Sequence, residues 1–321
     1  MKQVLILLTF MLYAGLANAQ QDAQQSQYMF NGIYINPAYA GYKENLNLHS
    51  FYRAQWTGIQ GAPVSMSLAV DASANDGNVG LALQISNDKL GAQSNLAAYA
   101  NYAYRVRLNG DGTSRLAFGL GIGVMQLGIN GSLLDTNDPE AYQPTGAQNY
   151  IVPDGRAGIY FSNERLYVGV SADNLISQFG DFKNHVYLAQ PKPHFYFTAG
   201  ALFSLTEDIK IKPSVLLKDD RAGPTSLDAN AFLMFGEKFW VGGSYRTGVK
   251  LYTKNYLQAN LSNSNAVVGA IEVFPVENLR IGYAYDISIG PLQGYSAGTH
   301  EISIGYYFKT RKSRMLTPRY F

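Results

Sequence analysis

The sequence predicts an all-β fold: a transmembrane, up-and-down antiparallel β-barrel of about fourteen strands. Three observations predict it. Stretch after stretch alternates apolar with polar or small residues at period two. The longest connections between these stretches all fall at odd positions in the series. The composition joins low charge (15% Asp, Glu, Lys and Arg) to 24 Tyr and 32 Gly, with no long apolar run after residue 19. A barrel hides its hydropathy in just such an alternation.

The elements follow in chain order. Met1-Lys2-Gln3 is a charged head, Val4–Leu16 a mostly apolar run, and Ala17-Asn18-Ala19 an A-x-A cleavage signal, so residues 1–19 read as a secretory signal peptide. The apolar run is too short for a membrane-spanning helix. Residues 20–45 form a polar, aromatic segment, periplasmic or lumenal. Strands are expected at 46–57, 63–72, 78–87, 94–107, 114–128, 154–162, 165–173, 194–204, 208–218, 224–235, 238–247, 265–274, 278–287 and 298–308, so the barrel occupies 46–308. Residues 309–321 are a tail with five basic residues and no acidic one.

The even-numbered connections are all compact: SANDG, LNGDGT, NE, LTE, GE and PVE. The long ones, near 129–153, 174–193, 248–264 and 288–297, are all odd-numbered. Outer-membrane barrels have short periplasmic turns and longer outer loops. With both termini periplasmic, the parity follows, and the chain resides in the outer membrane against its lipid. A soluble β-sandwich has no reason to sort its turns this way.

Phase then assigns faces. In NVGLALQIS, Val79, Leu81, Leu83 and Ile85 oppose Gly80, Ala82, Gln84 and Ser86. A basic residue facing lipid at mid-depth costs about 2–4 kcal/mol. Arg53, Gln55, Arg105, Asp173, Arg246, Glu272, Arg280, Asp286 and Glu301 are therefore expected to line the lumen. Strand 265–274 is the weakest, because its alternation breaks at Gly269-Ala270.

Motifs for chemistry are thin. No cysteine exists among 321 residues, which excludes thiol catalysis and cysteine-ligated metals. His300-Glu301 starts a zinc-protease pattern, but position 304 is Ile and the stretch reads as a strand. GLGIGVMQLG at 119–128 alternates glycine inside a strand instead of opening a helix, so its glycines leave room for a segment that comes close. Asp135, Asp138 and Glu140 offer hard oxygens for calcium, but the EF-hand pattern is missing and a solvated loop accounts for them. No G-x-S-x-G appears. Net charge is +2, which gives no footprint for nucleic acid. The expectation is a protein that is not an enzyme, with no catalytic residue, no cofactor and no metal.

That leaves QYMFNGIYINPAYAGY, Gln27–Tyr42. Asn-Pro favours a turn, and the aromatics gain by burial. The segment is expected to pack into the lumen mouth as a plug or brace. Its pieces, Phe30-Asn31 and Asn36-Pro37-Ala38-Tyr39-Ala40-Gly41, join Arg53-x-Gln55-Trp56, Gly61-Ala62-Pro63, Gly282-Tyr283-x-Tyr285-Asp286 and Gly298-Thr299-His300-Glu301-Ile302-Ser303-x-Gly305-Tyr306. Together, over about 27–308, they resemble the PorP/SprF family of Bacteroidetes outer-membrane proteins, associated with the type IX secretion system. The resemblance implies a partner-specific role in secreting or anchoring large cell-surface proteins such as gliding-motility adhesins. It also implies contact with periplasmic type IX or peptidoglycan-linked components. Clients would be held by outer loops at 129–153, 174–193 and 248–264. The rival expectation is a passive pore or a transporter of hydrophobic compounds, because such a barrel encloses a lumen.

Overall fold

The computed structural model describes residues 24–134, 144, 146–183, 185, 187–221, 223–254, 266–289 and 293–308. The expected signal peptide, the basic tail and the carboxylates Asp135, Asp138 and Glu140 lie outside the described residues. The strands are β1 (Leu46–Ala54), β2 (Val64–Ala74), β3 (Val79–Leu90), β4 (Gln93–Arg107), β5 (Arg115–Asn130), β6 (Ala147–Ser162), β7 (Leu166–Asp173), β8 (His194–Ala201 with Phe203–Ser204), β9 (Ile209–Asp219), β10 (Thr225–Phe235), β11 (Phe239–Val249), β12 (Ala266–Val276), β13 (Leu279–Ser288) and β14 (Thr299–Phe308). β8 is interrupted at Leu202, beside Pro213 of β9, which has no N–H for the ladder.

Each strand pairs antiparallel with its neighbours in sequence, and β1 closes on β14 from Leu46↔Phe308 to Ala54↔His300. The result is a closed fourteen-strand barrel with no open edge around its girth. One rim carries the short turns 75–78, 108–114, 163–165, 205–208, 236–238 and 277–278. The other carries all the long connections, and is called here the long-loop rim.

Alternation decides which atoms meet which solvent. Leu83 and Leu120 are each 65% exposed and Ile122 is 71% exposed, on the outside of the wall. Their neighbours Ala82, Gln84, Gly119 and Gly121 turn inward. β12 does not break as the sequence suggested: Val268, Ala270, Glu272 and Phe274 are buried while Val267, Gly269 and Ile271 face out. The apparent break arises because Val268 and Phe274 are apolar yet face inward, where they join a buried aromatic cluster.

β4, β5 and β6 are tall, at 15, 16 and 16 residues, whereas β7 and the main part of β8 have 8 each. The extra length projects at the long-loop rim as a lobe. β5 runs on to Asn130 and β6 begins at Ala147, so their connection is shorter than the expected 129–153. The sequence hid this because the alternation changes sense there. Met125, Leu127, Ile129 and Val152 turn inward and form a second small core with Leu188, Phe182 and Tyr187 of the loop 174–193. Tyr150 stacks on His185 at 4.1 Å and meets Phe182 edge-on at 5.3 Å. Asp154 accepts the Ser177 N–H at 3.0 Å, tying the loop down.

Candidate functional site

The lumen is filled by residues 24–45, nearly all of them buried. Three short 3-10 turns shape the segment: Tyr28–Phe30, Gly32–Tyr34 and Pro37–Tyr39. Pro37 sits at the first position of its turn and Asn36 caps it, accepting the Ala38 N–H at 2.9 Å. Gly41 has φ +63°, and a Cβ there would lie 2.4 Å from the Ala72 carbonyl oxygen. Only glycine fits that corner.

The segment does not stop at the mouth. Ser26 lies level with Arg53 and Glu301, near the long-loop rim. Phe30 reaches the lower wall at Phe232 and Trp240, with ring centroids 5.3 and 6.3 Å away. The chain then folds back to mid-wall, where Asn36 donates to Ile159 O at 3.0 Å and Val170 O at 3.2 Å. It leaves toward the short-turn rim, where Glu44 meets Arg115.

The turns satisfy only part of the segment's own N–H and C=O groups, and burial makes the remaining ones costly unless paired. The wall supplies the partners. Glu301 accepts the N–H of Ser26 at 2.8 Å and of Gln27 at 2.9 Å. Asp71 accepts the Gly41 N–H at 3.1 Å. Lys212 donates to Met29 O at 2.8 Å, Arg280 to Phe30 O at 2.8 Å and Arg156 to Tyr34 O at 3.1 Å. Ser171 donates to Ile35 O at 2.7 Å, and Arg105 bonds Ala40 O. The wall's charges thus hold main-chain atoms, and ion pairs hold two of them, Glu301 and Arg156, in turn. Arg53 bridges Asp286 at 2.7 Å and Glu301 at 3.0 Å, and Arg246 bridges Asp228 at 2.9 Å and Asp286 at 3.5 Å.

Small residues in the wall make room. A Cβ on Gly119 would lie 2.1 Å from Ala38 N, on Gly158 2.1 Å from Asn36 Oδ1, and on Gly80 1.8 Å from Ala40 O. Gly121 and Gly123 instead face Arg156, Asn101, Ala98 and Tyr99 of the wall itself. Tyr39 stacks on Tyr42 at 4.9 Å, and both meet Tyr160 edge-on, at 5.6 and 5.5 Å. Two cavities beside the segment measure about 20 and about 50 Å³, room for a few waters.

Of the polar residues read from phase, Arg53, Arg105, Arg246, Glu272, Arg280, Asp286 and Glu301 are buried inside the wall. Asp173 is half-buried and pairs with Arg156 at 3.0 Å. Gln55 lies one residue past β1, in the rim connection, its N–H donating to Pro63 O at 2.9 Å. Asn31 is fully buried, yet among the described residues its side-chain amide has no hydrogen-bond partner. Sequence reading passed over Lys43, Arg156, Lys212, Asp228 and Trp240. The alternation Lys210, Lys212, Ser214 carried a signal for Lys212, whereas Trp240 gave none, being an apolar residue that faces inward. Among the described residues no three His, Asp or Glu side chains gather as a metal set.

Comparison with known proteins bears on this geometry. The chain is similar in fold to the CymD monoaromatic hydrocarbon channel: TM-score 0.54, 9% identity, covering 87% of this chain and 93% of that one. It is similar also to the TodX deltaS2S3 mutant monoaromatic hydrocarbon channel: TM-score 0.51, 11% identity, covering 86% and 94%. At such identities the likeness is one of fold alone: an outer-membrane barrel. No curated protein matches the sequence. The family model for the type IX secretion system membrane protein PorP/SprF matches residues 17–306, nearly the whole chain. A closed barrel of outer-membrane type, with this segment in its lumen, thus belongs to the PorP/SprF family of type IX secretion system membrane proteins.

Proposed function

We propose that the protein is a non-enzymatic scaffold of the outer membrane that retains specific large cell-surface proteins exported by type IX secretion, binding them at its long-loop rim. The observation that carries this reading is the filled lumen: a barrel occupied from wall to wall by its own segment offers surfaces, not a passage. The long-loop rim faces the cell exterior, as in barrels of this class. The short-turn rim faces the periplasm and meets periplasmic secretion or peptidoglycan-linked components. Phe30, Asn31, Asn36, Pro37, Tyr39 and Gly41 hold the segment as an internal brace, and Arg53, Arg105, Arg246, Arg280, Asp286 and Glu301 clamp its main chain and each other. The client is gripped by the lobe and the loops around 174–193 and 248–264, whose Tyr, Asn and Gln suit protein recognition.

The test is a surface and culture-medium proteome of a deletion strain beside its parent. Loss of one or a few very large surface proteins, with other exported proteins kept, is the expected result. An unchanged surface set with reduced uptake of small molecules would replace this reading with a pore or hydrophobe transporter. That second reading is favoured by the fold likeness to hydrocarbon channels and opposed by the packing of the lumen.

A further inference from the structure

We propose that the open edge of β6 at the long-loop rim is a docking site for an extended strand of the retained surface polypeptide, which adds to the sheet by main-chain hydrogen bonds. This rests on the reading that the long-loop rim holds such a client.

β6 pairs with β5 over its whole length, Ala147↔Asn130 to Ser162↔Arg115. With β7 it pairs only over Ala157–Ser162. Two bonds fix which groups point where. Gly131 N–H donates to Gly146 O at 2.7 Å, so even-numbered carbonyls face β5. Leu175 N–H donates to Gly155 O at 3.0 Å, so odd-numbered ones face away. Period two then places N–H and C=O of Ala147, Asn149 and Ile151, and C=O of Pro153, on the open side. Among the described residues none of these groups has a backbone partner there. All four residues are exposed, Ile151 by 64%. Pro153 fits only because its missing N–H would have pointed into the open edge.

Sheet edges are usually blunted with charge, above all lysine. The run Ala147–Pro153, AQNYIVP, carries no charged residue. Among the described residues the loop 174–193 leaves the edge free, because Asp154 draws Ser177 in below it and the chain then crosses to the inner face. A row of unpaired donors and acceptors at period two is chemistry that recognises an extended polypeptide. Ile151 and Pro153 beside it favour an apolar side chain on the partner's outer face.

Proline replacement tests this directly. At Asn149 and Ile151 the N–H faces the open side, so Asn149→Pro with Ile151→Pro removes two donors without touching the β5 ladder. Folding of the barrel is checked by heat-modifiable migration in gels, and the surface-retained client is quantified on whole cells and in the medium. The expected result is a folded barrel with about tenfold less client retained, roughly two hydrogen bonds' worth, while Asn149→Ala with Ile151→Ala retains most of it. Should the proline variant misfold, Asn149→Lys with Ile151→Lys blunts the same edge and carries the same expectation. If the complete deletion sheds the client but folded edge variants retain it at the parental level, the edge site is wrong and the scaffold reading stands. If even the deletion retains the client, the scaffold reading itself fails. If the purified wild-type barrel is a dimer and the proline variant a monomer, the edge pairs with a second copy of this chain, and the client site is overturned.

Discussion

The lower and upper parts of β5 obey opposite rules within one strand. From Phe118 to Val124 the large apolar residues point out and glycines point in. From Met125 to Ile129 the apolar residues point in, and the half-buried Gln126 points out. The switch marks a change of solvent. We read the lower part as the belt that an outer-membrane barrel turns to lipid, with a polar, braced lumen inside. On the same reading the upper part stands in water, and its inside is a small core roofed by the loop 174–193. Period two is kept throughout; only its sense changes. A residue's fate therefore depends on height along the strand as much as on its face.

Four substitutions put that comparison at risk. Leu127→Ala, inward in the lobe, is expected to cost about 2–5 kcal/mol of local stability, as for other core truncations. Hydrogen exchange would then speed up at the tips of β5 and β6 and in the loop, but not in the belt. Leu120→Arg, outward in the belt, is expected to cost about 2–4 kcal/mol in urea unfolding from lipid vesicles. Gly119→Ala, inward in the belt, is expected to cost about 1–3 kcal/mol, because its Cβ meets Ala38 N and the segment must shift. Trp240, buried beside Phe30, would report that shift in its fluorescence. Gln126→Arg, outward in the lobe, is expected to change stability by no more than about 0.5 kcal/mol. If Gln126→Arg cost as much as Leu120→Arg, the switch of solvent would be misplaced.

The same comparison explains what was legible. In the belt, lipid outside and charge inside gave β3, β13 and β14 a clean alternation, and short turns at even positions gave the barrel. The motif around Asn36-Pro37 marked the segment, because a turn and several buried aromatics need those residue types. The lobe was not legible, since its alternation runs in the opposite sense and its core depends on Leu188 and Phe182 from a distant loop. The path of the segment was not legible either. It is held largely through main-chain atoms, Met29 O by Lys212 and Phe30 O by Arg280, and main-chain atoms leave no trace in side-chain pattern. Val268 and Phe274 misled because an apolar inward residue in a barrel looks like a lipid-facing one until the segment that covers it is in view.

The measurement that tests the central claim most directly is ion conductance in planar bilayers, for the intact barrel and for one lacking residues 28–42. The intact barrel is expected to carry no steady current, and the shortened one to conduct through the space that the segment leaves. Steady conductance through the intact barrel, or none gained on removing the segment, would contradict the account of a lumen closed by its own chain.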